Sequence, residues 1–265
     1  MGGGAYKQIE KMLDAHYKGK INISDYWAVG DSRKISIEAH STIANGSYIT
    51  TTINKHYITA PRIEQPSQDI ELMIIGFGHD ELVTPINGKS KSAITVQTKD
   101  CLSVVGAMNY SDDVEYSLWE YSGMRLYLSQ PFKNALPSSI TPLIKPVVKT
   151  YNGTTYENGG TTTDEVFLLG QLELCGKFAS NTTNSNATTN GVEGTQYLYY
   201  NSSSTTDSKK VKHLGYGSST TQSWWTRTGY MSNSHARYAC VNIDGSISDT
   251  IYSATATGIA PAFCL

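Results

Sequence analysis

The spacing of apolar residues changes along the chain, and each spacing predicts a type of element. Residues 5–20 carry apolar side chains with the i, i+3, i+4, i+8 spacing of an amphipathic helix, which Gly19 would end. Ile35 and Ile37 alternate with polar neighbours within residues 26–40, and this alternation predicts a strand.

Three further segments have the length and pattern of strands. Residues 70–77 form a near-continuous apolar run, which is typical of a strand buried on both faces. Residues 47–59 and 92–97 alternate less regularly and predict weaker strands.

A helix is predicted in the middle of the chain. Residues 118–129 have helical apolar spacing, and Ser117 and Glu120 form a capping box at their start. We expect the helix to end before Pro131, because proline lacks the backbone N–H that a helix interior needs.

The elements predicted after this helix are short. Residues 167–169 predict a short buried strand, and residues 171–175 predict a helical turn that contains Glu173. Residues 180–191 and 201–208 are polar and of low complexity, so we expect surface loops there.

The C-terminal region is predicted to be a series of short strands separated by turns. Asp244 and Gly245 mark one of these turns. The predicted strands are Ser223–Thr228, Arg237–Ile243, Asp249–Ala254 and Ala260–Leu265.

Composition narrows the classes of function. Of 265 residues only 17% are charged, whereas 18 are Tyr and 23 are Gly. The 21 Lys and Arg are balanced by 23 Asp and Glu, so the net charge is −2 and we expect no nucleic-acid partner. No apolar run is long enough to span a bilayer and no signal peptide is visible, so we expect no membrane insertion.

The spacing of the residues gives little support for a metal, cofactor or catalytic site. The histidines lack the pairings of zinc sites, and we expect neither a metal nor a cofactor. His79 and Asp80 invite a catalytic interpretation, but neighbouring residues at the end of a strand should point apart. We therefore predict no catalytic residue and a protein that is not an enzyme.

The four cysteines leave two alternatives open. No CxxC motif is present, and small buried apolar residues are the favoured interpretation of all four. A disulfide between Cys240 and Cys264 is the alternative, because both lie in predicted C-terminal strands.

A series of motifs in the second half of the chain resembles a known family. Trp119, Arg125 and Tyr127 belong to the first motif, and Asp164–Leu169 to the second. The others are Glu193-Gly194-x-Gln196-Tyr197, Trp224-Trp225-Thr226-Arg227-Thr228 and Gly258-Ile259-Ala260-Pro261-Ala262-Phe263. In this order they resemble a family of domains of unknown function from gut bacteria and their phages.

That resemblance implies a fold. The family is similar to the C-type-lectin fold, in the version shared by formylglycine-generating enzymes and the variable proteins of diversity-generating retroelements. We therefore expect an α+β, C-type-lectin-like domain over residues 66–265, with short, mostly antiparallel strands and one or two helices. Residues 1–65 would form a helix and a small β-rich attachment segment. Residues 27–33 resemble an opening segment of phage-encoded members, which favours a virion.

Two sets of residues carry the functional expectations. In the structural set, Glu173 and Glu120 are the expected carboxylate partners of Arg227 and Arg125. The set comprises Trp119, Arg125, Glu173, Trp224, Arg227, Pro261 and Phe263. A ligand-binding set, chosen because Tyr, Asn and Ser dominate binding loops, comprises Tyr216, Trp225, Tyr230, Asn233, His235, Tyr238, Asn242 and Tyr252. Trp225 is also open to interpretation as a packing residue.

The favoured function is that of a non-enzymatic, tail-associated phage protein. Its lectin-like domain would bind a glycan or protein of the host cell surface, with other virion proteins as further partners and a homotrimer as a possible assembly. It would act in the virion or at an extracellular surface. The alternatives are a purely structural virion or bacterial surface protein and, with less support, a surface-sugar hydrolase, which would need two carboxylates across a cleft.

Overall fold

The computed structural model describes residues 3–112, 118–153, 159–176, 193–201, 207–232 and 235–265. For residues 3–6, 230–232 and 248–250 it describes the backbone alone. Within these ranges the fold is mixed, with mostly antiparallel strands in small sheets and few helices, which agrees with the α+β class.

The helices are short except for the first. They are α1 Gly3–Tyr17, α2 Gly123–Tyr127, α3 Lys133–Ala135 and α4 Gln171–Cys175. The predicted N-terminal helix and the helical turn at Glu173 are both confirmed. Gly19 follows α1 with a φ of 69°, a left-handed conformation that costs glycine little.

The predicted single helix over residues 118–129 is wrong in its shape. A 3₁₀ turn, Trp119–Tyr121, precedes α2, and a π-helical turn, Leu128–Phe132, joins α2 to α3. Pro131 lies inside the π turn, because this wider turn accommodates a residue that donates no backbone hydrogen bond. Ser117 lies outside the described residues, and Ser122 caps α2 by accepting a hydrogen bond from the Arg125 N–H.

The strands are numbered here in their order along the chain. They are β1 Ser32–Ile37, β2 His40–Ser41, β3 Ile43–Ala44, β4 Ser47–Tyr48, β5 Thr50–Ile53, β6 His56–Thr59, β7 Glu64–Gln65, β8 Gln68–Phe77, β9 Glu81–Ile86, β10 Lys89–Lys91, β11 Ile94–Thr98, β12 Val105–Gly106, β13 Val147–Tyr151, β14 Gly160–Asp164, β15 Val166–Phe167, β16 Lys212–His213, β17 Thr221–Gln222, β18 Trp224–Ser232, β19 His235–Val241, β20 Ile247–Tyr252, β21 Thr257–Gly258 and β22 Ala262–Cys264. Strands are thus confirmed in every segment where the sequence predicts them, with shifted ends.

The central sheet has the order β1-β8-β11-β22-β15, and its neighbouring strands are antiparallel. Ile74 pairs with Val96, which pairs with Phe263, so these three side chains lie in one row on the same face. Thr95 and Cys264 pair on the opposite face. Both faces of this sheet are covered, and β8 and β11 are buried along most of their length.

Two more sheets flank this centre. One has the order β10-β9-β13-β14, and the other has the order β12-β21-β18-β19-β20. The pair β18–β21 is the parallel one in the latter sheet, whereas its other neighbours are antiparallel. The strands β5 and β6 form a separate two-stranded hairpin.

The N-terminal segment is built into this architecture. β1 pairs with β8 over six residues, and Leu13 and Tyr17 of α1 belong to the same apolar core as the central sheet. The Tyr17 hydroxyl donates to the Leu265 carbonyl at 3.0 Å and accepts from the Ala93 N–H at 2.9 Å. The division at residues 65 and 66 stays a prediction, but the two parts share one core.

The cysteines are all free and buried, as the favoured interpretation predicted. The alternative disulfide between Cys240 and Cys264 is wrong, because both thiols are free. Among the described residues, no helix combines the length and the apolar character that a membrane span requires.

Candidate functional site

Arg227 joins several distant parts of the chain at the centre of the molecule. Its Nη1 donates to Glu173 Oε2 at 2.5 Å and to the Leu168 carbonyl at 2.9 Å, and its Nη2 donates to the Glu193 carbonyl at 2.5 Å. Its Nε donates to the Thr150 carbonyl at 3.0 Å. The planar guanidinium therefore ties β18 to α4, to β13 and to the segment at Glu193.

Lys149 completes a buried cluster of charges. Its Nζ lies 2.7 Å from Asp80 Oδ1 and 2.5 Å from Glu173 Oε1, and it also donates to the Tyr197 hydroxyl at 3.2 Å. The same nitrogen lies 4.2 Å from the centre of the Phe167 ring. We call Asp80, Lys149, Glu173, Glu193 and Arg227 the buried charge cluster; all five are buried.

The electrostatics of this cluster follow from burial and pairing. Burial alone would raise the pKa of both Asp80 and Glu173, but the Lys149 charge holds the pKa of Asp80 well below its ordinary value, and the Arg227 and Lys149 charges hold the pKa of Glu173 below its ordinary value. Glu193 differs, since burial outweighs the neighbouring Arg227 charge and raises its pKa. Two carboxylates and two cations therefore stay ionised inside the protein.

Glu193 has one carboxyl oxygen engaged and one without a hydrogen-bond partner. Its Oε2 accepts from the Thr228 hydroxyl at 2.6 Å and from the Gln171 N–H at 3.1 Å, whereas its Oε1 is buried and unpartnered. A pocket of about 240 Å³ reaches the buried charge cluster beside Glu193 and His79. The cluster's two ionised carboxylates are held by Lys149 and Arg227, which supports a structural role for them.

His79 and Asp80 lie closer together than the sequence predicted. His79 Nδ1 is 3.6 Å from Asp80 Oδ1, and the His79 ring stacks on Tyr197 with 3.8 Å between centres. The expectation that they point apart is wrong because β8 ends at Phe77. Gly78 then takes a φ of 56°, so strand alternation no longer applies.

A second motif arginine has a different partner from the predicted one. Arg125 Nε donates to Asp164 Oδ1 at 2.6 Å, and the Trp119 indole N–H donates to Asp164 Oδ2 at 2.9 Å. The predicted Arg125–Glu120 ion pair is wrong, because Glu120 offers only its backbone carbonyl to Arg125. The Glu120 carboxylate instead accepts from the Tyr151 hydroxyl at 2.7 Å. The Arg227–Glu173 pair is as predicted.

The other structural motif residues are core residues. Trp224 and Trp225 are both fully buried, and their indole N–H groups donate to the Lys210 and Gly106 carbonyls. Phe263 is fully buried in the central sheet, and the Pro261 carbonyl accepts from the Thr98 N–H.

Exposed aromatic rings gather at a surface that the sequence did not single out. A pocket of about 150 Å³ is lined by Tyr57, Tyr110 and Tyr121 together with Asn109 and Ser111. Tyr57 and Tyr110 are each about 60% exposed. We call these five residues the tyrosine pocket, which offers ring faces beside polar side chains.

Neighbouring rings extend the tyrosine pocket on both sides. Tyr48 contacts Tyr110 edge to face with 5.1 Å between ring centres, and His56 lies over Tyr121 at 4.3 Å. The hairpin β5–β6 supplies Tyr57 and His56. It packs against the start of α2, where a Cβ on Gly123 would lie 2.4 Å from the Thr59 carbonyl oxygen, so only glycine fits there.

A polar pocket lies on the other side of the same hairpin. It measures about 310 Å³ and is lined by Glu120, Arg125, Gln130 and Glu165 among others. Ile58 of β6 lines both pockets, so the hairpin separates an aromatic pocket from a polar one.

The motif order that suggested a family is matched by a family model. The model is described as "Domain of unknown function (DUF6273)", and it matches residues 91–265, about two thirds of the chain. This chain belongs to the DUF6273 family. No curated protein matches the chain significantly, and no solved structure does.

The DUF6273 match covers most of the buried charge cluster. Lys149, Glu173, Glu193 and Arg227 lie within it, whereas Asp80 precedes it. The tyrosine pocket combines Tyr110 and Tyr121 of the DUF6273 region with Tyr57 from the preceding hairpin.

Two of the predicted ligand-binding residues of the DUF6273 region are core residues. Trp225 and Tyr238 are fully buried, and the Tyr238 hydroxyl donates to the Leu118 carbonyl, so neither side chain is presented at the surface. Their burial follows from the covered faces of β18 and β19. Tyr216 is exposed beside Lys34 of the central sheet.

The remaining members of that set are scattered or undescribed. His235 and Tyr252 lie together, with 5.7 Å between ring centres, and the Arg237 guanidinium lies 4.2 Å from the Tyr252 ring. Asn242 donates to the Ser246 hydroxyl within the turn after β19. Asn233 lies outside the described residues, and of Tyr230 only the backbone is described.

The predicted site residues did not include the tyrosine pocket or three members of the charge cluster, Asp80, Lys149 and Glu193. Tyr57 stands in an alternating segment, but its alternation does not say which face is open to solvent. Lys149 lies in a short strand with no motif around it. No three His, Cys, Asp or Glu side chains that could hold a metal come together in the described ranges.

Proposed function

We propose that this protein is a non-enzymatic binding module whose tyrosine pocket takes a glycan of a bacterial cell surface. The observation that carries this proposal is the set of exposed rings of Tyr57 and Tyr110 around one small pocket. Sugar rings present C–H faces that pack on aromatic rings, and a few polar groups beside such rings orient the bound sugar.

The surroundings of the tyrosine pocket support a binding role. The polar pocket across the hairpin supplies charged and amide side chains for a further sugar unit, among them Glu120 and Gln130. The buried charge cluster, by contrast, has its ionised carboxylates saturated by cations, which favours binding over catalysis.

We further propose that the chain is a tail-associated phage protein with a C-type-lectin-like domain. The supporting observation is the motif resemblance over residues 27–33 and 119–263. Other virion proteins would be its partners and a homotrimer its assembly. Mass spectrometry of purified phage particles tests this proposal: the protein should be found in the tail, and its absence from virions would contradict the assignment.

Glycan arrays with the purified chain test the binding proposal. We expect binding to a bacterial surface glycan, and we expect Tyr57→Ala and Tyr110→Ala each to weaken it at least tenfold, because both remove an exposed ring. Tyr26→Ala is the matched control, since Tyr26 is 61% exposed and does not line the tyrosine pocket.

Two results would contradict the proposal. If Tyr57→Ala and Tyr110→Ala bind as tightly as the unchanged protein, the pocket is not the site. If the protein binds no glycan and elutes from a sizing column as a stable trimer, a purely structural role is favoured instead.

A further inference from the structure

The central sheet carries an apolar chamber on the face opposite the buried charge cluster. Its floor includes the row Ile74, Val96 and Phe263, together with Ile35 and Leu72. These five residues are all buried, and the chamber measures about 370 Å³. We call this space the apolar chamber.

Helical and loop residues cover the floor of the apolar chamber. Ile9 of α1, Trp27, Ile140 and Leu143 lie across from the sheet. The chamber therefore lies between the central sheet and its covering segments and is partly open to solvent, and it lies on different elements from the tyrosine pocket.

A partly open apolar space of this size is large for a gap between packed elements. Cores are packed to the density of organic crystals, and voids larger than a water molecule are few. Each side chain that lines an empty space loses dispersion contacts, and water gains little in a chamber whose walls offer few hydrogen bonds. A chamber of this size falls in the range of small-molecule binding sites.

The rim of the apolar chamber indicates which polar group the occupant carries. Asp31, Ser32 and Arg33 are its exposed polar members. The Asp31 carboxylate accepts from the Ala28 N–H at 2.9 Å, and the Ser32 hydroxyl donates to Glu71. These three rim residues include one acidic and one basic side chain, so their formal charges sum to zero.

We propose that the apolar chamber binds an uncharged aliphatic molecule with one small polar head, such as a straight-chain alcohol. The chain lies along Ile74, Val96 and Phe263, and the head faces Asp31 and Arg33. This binding is independent of the glycan proposal, since no residue is shared between the two sites.

Titration of the full chain with the alcohols from 1-butanol to 1-octanol tests this proposal. We expect saturable binding whose affinity rises about fourfold for each added methylene, because each buries further apolar surface. Methyl NMR should show ligand-induced shifts and contacts at Ile74 and Val96. Val96→Phe places a larger side chain inside the chamber and should weaken 1-octanol binding at least tenfold, whereas Val83→Phe, at an exposed site of another sheet, should leave it unchanged.

The methyl NMR measurement uses the unchanged protein, so it decides the matter even if Val96→Phe does not fold. Absence of saturable binding would overturn the proposal, as would contacts to methyl groups outside the chamber. A folded Val96→Phe protein that binds 1-octanol with unchanged affinity would also overturn it.

Discussion

At the scale of single residues, Glu173 supplies the carboxylate that compensates the buried charges of Lys149 and Arg227. It is fully buried and lies between Lys149 and Arg227, 2.5 Å from each. Its second oxygen also accepts from the Gly170 N–H at 2.9 Å. A buried group of ion pairs adds little to the stability of the folded protein compared with an apolar core. Removing one partner is nevertheless destabilising, because it leaves a buried charge uncompensated.

We therefore expect Glu173→Gln to destabilise the protein by about 3–5 kcal/mol, because Arg227 would lose its carboxylate partner and Lys149 would keep only Asp80. Urea unfolding measures this change. The control is Glu165→Gln, which breaks a partly exposed pair with Lys133 and should cost less than about 1 kcal/mol. Equal and small losses for the two variants would contradict a central role of Glu173.

At the scale of elements, two hairpins use the same turn with different residues. Asn54 and Lys55 connect β5 to β6 with φ values of 46° and 72°, and Asn87 and Gly88 connect β9 to β10 with 48° and 81°. Two successive positive φ values define the type I′ turn, which matches the twist of antiparallel strands. Glycine fits the second position of this turn, whereas Lys55 is strained there.

Lys55→Gly should consequently stabilise the protein by about 0.5–1 kcal/mol, although glycine usually weakens an element. Thermal unfolding measures the gain. The reciprocal change, Gly88→Lys, serves as the matched control and should destabilise by a similar amount. If Lys55→Gly proves destabilising, the turn conformation assigned to Asn54 and Lys55 is wrong.

At the scale of the whole molecule, a buried lysine makes the free energy of unfolding depend on pH. Lys212 is buried, and its Nζ donates to the Thr98 and Lys99 carbonyls at 2.7 and 2.8 Å. Burial lowers its pKa from 10.5 to about 8. The folded state therefore loses this proton at a lower pH than the unfolded state does.

The direction of the pH effect on stability follows from this difference in proton binding. Between pH 8 and about pH 10 the unfolded state binds more protons at Lys212 than the folded state, so this residue makes stability rise with pH, by at most about 1.4 kcal/mol per pH unit. Lys212→Met should remove that slope, which urea unfolding at several pH values measures. Lys209→Met, at an exposed site, should retain it; a slope that persists in Lys212→Met would show that other groups cause it.

The order and type of most elements were predictable from the sequence, because they depend on local spacing. The apolar run at 70–77 and the alternation at Ile35 and Ile37 are properties of neighbouring residues, and both became strands of the central sheet. The Arg227–Glu173 pair was also predictable, since an isolated arginine in an apolar segment needs a carboxylate.

What only the tertiary structure decided is how distant segments meet. Strand alternation gives the two faces of β18 and β19, but only the neighbouring sheets bury both, which hides Trp225 and Tyr238. Pairing between strands far apart in the chain creates the apolar chamber, and packing of the β5–β6 hairpin on α2 exposes Tyr57 beside Tyr110. Burial is a property of the assembled fold, and for that reason spacing along the chain cannot specify it.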